Sequence, residues 1–419
     1  MTKSPTLILG VEPRITIPIA RSLHRHGIPV DVASLSSGEP PVRSRCVRDF
    51  IRLPPFSASS SDFAAALAKL IADRGYDTLI PATDTALAAV SQHDARLRAL
   101  LRLACPQPQA VQRVLDKSLT LRIARQCGVP VPKSQWASNL AELREVVGQL
   151  EFPIVAKPCR KGSKTAIKVE YFKSPADLEK AFESDLLGSP LLLQEYCPGD
   201  GVGVEMLVHN GEAIATFQHR RLREFPHTGG AAVIAIAEPL DPELKRHALE
   251  LLRAIQWEGV AMVEFRVHRP DRRIALMEVN GRYWGTLSLP VKAGIDFPFY
   301  QWQLLHEETP AVPGSYAVGM RWRWSAGYIG SWHGQLVSAA GHAISRPSLL
   351  KPLIPTFGEL SPATRDALWQ LSDPIPAIAE AARTIAGLIA ADSHGLAKLV
   401  RRLRHKDSKS KPTLLSRPG

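Results

Sequence analysis

Glu264 and Glu278 are the residues of this chain with the clearest chemical meaning. They lie in Val260-Ala-Met-Val-Glu-Phe-Arg-Val-His-Arg269 and Arg272-Arg-Ile-Ala-Leu-Met-Glu-Val-Asn-Gly-Arg282, with Pro270-Asp271 between. Both flanks alternate with period two and Pro-Asp is turn chemistry, so the segment predicts a β-hairpin. A hairpin centred near Asp271 sets Glu264 opposite Glu278 and Met262 opposite Asn280. Asn280 shares a face with Glu278, while Ala261, Val263, Phe265, Val267, Ala275, Met277 and Val279 form the apolar face. Directly opposed carboxylates destabilise a sheet, and a cation held between them removes that cost. Two carboxylates and an amide oxygen suit a hard ion such as Mg²⁺, which usually also holds substrate phosphates. The alternative is a solvated acidic face relieved by Arg266 or Arg272, and a one-residue slip in register would separate the acids altogether.

A second candidate is Lys157, carried at the end of an apolar strand, Pro153–Ala156. The following loop, Arg160-Lys-Gly-Ser-Lys164, offers Gly162, Ser163 and further positive charge, a plausible cradle for phosphate; on its own it is also an ordinary surface turn. The order of these pieces carries more than any one of them. A helix opened by Asp116-Lys117 comes first, then Lys157-Pro158 with its loop and Gln194-Glu-Tyr-Cys-Pro-Gly199, then Glu264, then Glu278-x-Asn280-x-Arg282.

This order resembles the ATP-grasp superfamily over roughly residues 113 to 305. Within it, His219-Arg-Arg-Leu-Arg-Glu224, Thr228-Gly-Gly230 and Arg282-Tyr-Trp-Gly285 look like the carbamoyl phosphate synthetase-like carboxylate–amine ligases. The resemblance implies ATP and Mg²⁺ as cofactors, with Mn²⁺ able to substitute. Lys117 and Lys157 match lysines that contact ATP phosphates, with Gly162 and Ser163 in the loop above them. Gln194, Glu195, Tyr196 and Cys197 match the segment between two lobes, whose backbone binds adenine. Glu264, Glu278 and Asn280 match the metal ligands, and Arg282 matches an arginine near the transferred group. The ribose acid is displaced from its usual place near Gly201, leaving Asp200 or Glu205 to serve. Met262 stands where D-alanine–D-alanine ligases have an oxyanion arginine, which passes that role to Arg282, Arg220 or Arg221. The Arg220–Arg223 cluster is either a fork for a substrate carboxylate or a solvated basic loop.

The elements that must position these residues read as α/β and α+β. Residues 1–112 alternate strands and helices as a Rossmann-like domain, with Leu79-Ile-Pro-Ala-Thr-Asp84 similar to the domain that precedes ATP-grasp domains. Expected strands are Leu7–Gly10, Pro29–Ala33 and Thr78–Ile80, and expected helices are 15–26 and Ser61–Asp73. The two-lobed ATP-grasp domain is expected over 113–309, a mostly helical extension over 310–397, and a basic tail over 398–419.

Composition bounds the rest. At 419 residues, 45% hydrophobic and 22% charged, the chain suits a multidomain globular protein. Five scattered cysteines, odd in number and without a C-x-x-C pair, argue for reduced thiols and a cytoplasmic setting. The net charge of +12 does not call for nucleic acid, because eight Lys and Arg against Asp407 alone fall between Lys398 and Gly419. Such a tail could touch an anionic surface. No run is long enough to span a membrane. The expected activity is ATP-dependent joining of a small carboxylate to an amine or amino acid, releasing ADP and phosphate, with room for a homodimer. The rival expectations are biotin-carboxylase-like bicarbonate activation and a nucleotide-binding regulator without catalysis.

Overall fold

The computed structural model describes residues 3–57, 61–160, 169–183, 190–225, 230–331, 333, 361 and 363–390. Gly162, Ser163, Thr228 and the basic tail lie outside them. Three sheets organise the described chain.

The first is parallel, in the order β3-β2-β1-β4-β5, built from β1 (Thr6–Leu9), β2 (Val30–Ser34), β3 (Asp49–Arg52), β4 (Thr78–Pro81) and β5 (Arg102–Leu103). β1, β2 and β4 are buried at every residue, as befits strands covered on both faces. Helix α1 (Pro13–Arg25) follows β1, with Pro13 in the first turn where its missing N–H costs nothing. α2 (Ser61–Arg74) leads to β4, and α3 (Asp84–Gln92) leaves it, capped by the Thr83 hydroxyl. The alternation agrees with the sequence; β3 and the three short helices after β4, ending in α5 (Pro108–Leu115), carry no comparable signal.

The second sheet is antiparallel, in the order β6-β9-β7-β8: β6 (Ser134–Ala137), β7 (Ile154–Pro158), β8 (Glu170–Phe172) and β9 (Leu191–Glu195). Helix α6 (Lys117–Gln126) precedes it. Asp116 caps that helix by accepting from the Ser118 and Leu119 amides, as its sequence position predicts.

The third sheet has seven strands in the order β14-β13-β10-β11-β12-β15-β16. It contains β10 (Asp200–His209), β11 (Glu212–Phe225), β12 (Ala231–Ala237), β13 (Gly259–His268), β14 (Arg273–Asn280), β15 (Arg321–Arg323) and β16 (Arg365–Asp366). Residues 325–331 and 375–390 are helical, as expected of the C-terminal third, yet that third also lends β15 and β16 to this sheet. The Arg220–Arg223 cluster is therefore part of a long strand and not a basic loop.

One face of this sheet is closed by α9 (Pro242–Ile255), whose Leu244, Ala248, Leu251, Leu252 and Ile255 share a core with Val204, Val263, Phe265 and Val279. Each of the larger side chains contributes about 1.5–3 kcal/mol by leaving water. With the apolar residues drawn to α9, alternation turns Glu264, Glu278 and Asn280 to the other face.

The hairpin register is the expected one where it matters: Met262 pairs with Asn280, Val263 with Val279 and Glu264 with Glu278. Beyond Glu264 a bulge shifts the pairing, so Phe265 faces Leu276. This corrects the expected apolar face. Leu276 is buried in the core, while the extra residue, Met277, lines the cavity described next.

Candidate active site

A cavity of about 360 Å³ opens over the carboxylate face of the large sheet. Three regions of the chain wall it. Lys117, Lys157, Tyr171 and Glu195 to Cys197 come from the four-stranded sheet and its flanks. Arg221, Glu264, Glu278, Asn280 and Arg282 come from the large sheet. Glu12, Arg14 and Ile15 come from the loop after β1 and the start of α1.

The two lysines converge because chain segments far apart in sequence are tied together. Lys117 opens α6, and its amide donates to the Cys159 carbonyl at 2.9 Å, directly past the end of β7 that carries Lys157. The Lys157 ammonium is pushed down to about 8, first by burial and then by Lys117, against the opposing pull of Glu278 and Glu264. An anion placed between the lysines would relieve both effects.

Beside them, Val155, Val169 and Tyr171 face Met277 across the cavity, making an apolar slot next to the Glu195–Cys197 segment. Tyr196 meets Tyr171 edge-on at 6.2 Å between ring centroids. The slot suits a flat ring bordered by backbone polar groups. Gln194 does not take part through its side chain, which is buried and donates to the Ser134 hydroxyl at 3.0 Å.

The acids are held by a buried ionic row. Arg221 donates to Glu264, its other arm lies 3.5 Å from Glu224, and Glu224 accepts from Arg266 at 2.6 Å. A bulge in β11 between Arg221 and Glu224 puts these two on the same face despite their odd spacing. Arg266 thus serves Glu224 instead of the paired acids, and Arg272 lies with Asp241 and Glu243. The Asn280 amide donates to Glu278 at 3.1 Å, and its oxygen is an acceptor beside the two carboxylates in the cavity lining. This oxygen-rich donor set fits a hard divalent cation.

Arg282 reaches across to the first sheet's domain. It donates to Asp84, at the start of α3, at 2.9 Å. Burial works against the guanidinium charge, but Asp84 and Glu278 more than restore it.

Four buried donors on the cavity wall have no hydrogen-bond partner among the described residues: Arg221 Nε, Arg282 Nε, Trp284 Nε1 and Thr286 Oγ1. Buried polar groups are normally paired, so these four are exceptions; the lining of Lys117, Lys157, Arg221 and Arg282 fits a ligand rich in anionic oxygen. A nucleotide polyphosphate with its metal has that character.

Three expectations are corrected. Arg220 points to the opposite side of the strand, where it binds Glu238 at 2.5 Å and approaches Asp200. Asp200 is also paired with Arg269 at 2.6 Å and does not line the cavity. Glu205 is fully buried against His219, 2.5 Å away, and cannot reach a ribose from there. In the other direction, Glu12, Arg14 and Ile15 were not expected from the sequence. Their position is the signal that could have found them, because ligands of parallel α/β sheets gather beyond the carboxyl ends of strands.

Comparison with known proteins follows the same lines. The family described as "ATP-grasp in the biosynthetic pathway with Ter operon" matches residues 188–327. The chain is 27% identical over 189 residues to the D-alanine–D-alanine ligase of Paracidovorax citrulli, covering 42% of this chain and 55% of that one. It is 25% identical over 195 residues to the N-terminal section of the carbamoyl phosphate synthase large chain of Methanopyrus kandleri, covering 44% and 34%. It thus spans about half the length of the first and a third of the second. The fold matches that of the L-amino acid ligase from Bacillus licheniformis over 72% of this chain and 74% of the other, with a TM-score of 0.57 at 18% identity.

Proposed function

We propose that this chain, an ATP-grasp protein by fold and by the family match over residues 188–327, is an ATP-dependent ligase joining a carboxylate to an amine. The observation that carries the proposal is the pairing of Glu264 with Glu278, beside Asn280, on the wall of a cavity that Lys117, Lys157 and Arg282 also line.

In this reading Lys117 and Lys157 bind the nucleotide's phosphates, and the slot at Val155, Tyr171 and Met277 takes its base. Glu264, Glu278 and Asn280 hold Mg²⁺. Bound together, ATP and Mg²⁺ supply a phosphoryl group and the charge neutralisation its transfer requires. Arg282, fixed by Asp84, is set to meet charge developing on the substrate side. The substrate carboxylate oxygen takes the γ-phosphoryl as ADP leaves. The amine nitrogen then bonds to the acyl carbon, phosphate departs with its electron pair, and the nitrogen loses a proton.

The test is ADP release from Mg·ATP with pooled small carboxylates and amino acids, with hydroxylamine present to trap the activated acyl group. Carboxylate-dependent ADP with hydroxamate is expected. Nucleotide binding without either product would leave a binding protein and remove the ligase.

Lys157 makes a separate prediction about pH. Phosphates favour its ammonium, so binding above about 8 must take up a proton that the free site lacks. Below that pH the lysine already carries the proton and affinity levels off. Calorimetry of Mg·AMPPNP binding should show affinity falling by up to about tenfold per pH unit above that value. Proton uptake should appear in paired buffers of different ionisation enthalpy. A flat profile between pH 7 and pH 9.5 would remove Lys157 from the phosphate site.

A further inference from the structure

Of the Arg220–Arg223 cluster, which the sequence reads as either a carboxylate fork or a solvated loop, Arg220 faces away and Arg221 is committed to Glu264 and Glu224. A different group on the cavity wall has the required form. Arg14, in the first turn of α1, lies between the Trp324 ring, 3.8 Å from its guanidinium carbon, and the backbone of Gly285. A Cβ on Gly285 would come within 3.1 Å of Arg14 Nη1, so the glycine is what admits the guanidinium. Its Nε is bonded to Glu12 at 2.8 Å, which orients the plane and turns the Nη1 and Nη2 edge outward. Neither terminal nitrogen has a hydrogen-bond partner among the described residues, and the side chain is 14% exposed. On either side of Gly285, Trp284 and Thr286 also line the cavity.

An oriented guanidinium fork on a cavity wall matches one planar, two-oxygen anion. Held this way, a carboxylate has its negative charge neutralised and its oxygens occupied, which suits it to be anchored and not to attack phosphorus. Resting on the ligase reading above, we propose that Arg14 anchors the carboxylate of an amino acid whose amine is the nucleophile. Trp324, from the C-terminal part of the chain, is then a positioning residue: it acts by holding Arg14 flat.

The experiment is saturation-transfer NMR on the chain loaded with Mg·AMPPNP, with the proteinogenic amino acids and a set of small mono- and dicarboxylates as probes. At least one amino acid is expected to bind the wild type. Its affinity should fall about 10- to 100-fold in Arg14→Gln, the scale of losing charge-assisted hydrogen bonds. Arg14→Lys, which keeps the charge and loses the fork, should fall between, and Gly285→Ala should weaken binding by crowding Arg14. Arg220→Gln, on the far side of the strand, should bind as the wild type does. The inference is overturned if no amino acid binds, if only dicarboxylates do, or if binding survives Arg14→Gln and Gly285→Ala. Amino acid binding lost in Arg14→Gln, without hydroxamate in the assay of the preceding section, would sink the ligase reading and leave this anchor standing.

Discussion

Replacing Glu278 by glutamine is expected to lower Mg²⁺-dependent turnover by roughly 10²–10³-fold, the scale of removing one preorganised electrostatic group, while the melting temperature holds or rises. The two halves of this result share one cause. Glu278 directly opposes Glu264 on a sheet face, and opposed like charges cost stability. An amide of the same shape removes that cost and still allows the Asn280 contact. It also removes one of the two negative charges that would hold a divalent ion, so metal affinity and the charge balance of phosphoryl transfer suffer together. ADP release titrated with Mg²⁺, set beside calorimetric unfolding, measures both. Turnover within tenfold of wild type at saturating Mg²⁺ would mean that Glu278 is not a metal ligand. A drop in melting temperature of several degrees would mean that the carboxylate is structural.

His219→Ala should be the most damaging substitution for stability, by about 3–5 kcal/mol at neutral pH. Glu205 and His219 are both fully shielded from solvent and, among the described residues, each is the other's side-chain partner, between β10 and β11. Removing the imidazole strands a carboxylate with no water to replace it. Burial already raises the Glu205 carboxyl above its ordinary range, with His219 as the main opposing influence. The sign follows from linkage. With a raised folded value, the native state binds more protons than the unfolded chain, so stability falls as pH climbs from the usual carboxylate range through the raised value. In the variant that slope steepens, and the loss should shrink toward pH 5 as Glu205 takes up a proton. Denaturant melts at pH 5 and pH 8 would reveal it. A double replacement, Glu205→Leu with His219→Leu, should recover much of the loss, since neither charge is then stranded. A pH-independent loss below about 1 kcal/mol would show that the pair carries no stranded charge.

Both substitutions concern the same sheet face, and they differ in how far the sequence could anticipate them. Strict alternation on either side of Pro270-Asp271 was enough to place Glu264 against Glu278, because a short hairpin leaves only one register that buries its apolar residues. The Asp116 cap, the parallel alternation of the first hundred residues and the lysine at the end of β7 were legible for similar reasons: each depends on neighbours within a few residues.

What local pattern could not resolve was where a strand bends. The bulge after Glu264 exchanges Met277 for Leu276 in the core, and the bulge in β11 sends Arg221 to the cavity, with Glu224 on the same face, while Arg220 turns to Glu238. A bulge adds one residue to one strand only, and its place is chosen by what each face must pack against. Glu205 shows the same dependence. In sequence it is one acid near a glycine-rich turn, free to serve a ribose; in the fold, β11 lays His219 across it and seals both. Arg14 needed still more, because its role depends on Gly285 and Trp324, some 270 and 310 positions away. Sequence by itself brought out the resemblance to ATP-grasp proteins, the facing acid pair and the lysine at the end of β7, since order and short-range periodicity suffice for these. The tertiary structure alone decided which arginines are tied to carboxylates and which line the cavity, because a guanidinium's availability is set by the carboxylates that other strands bring within reach.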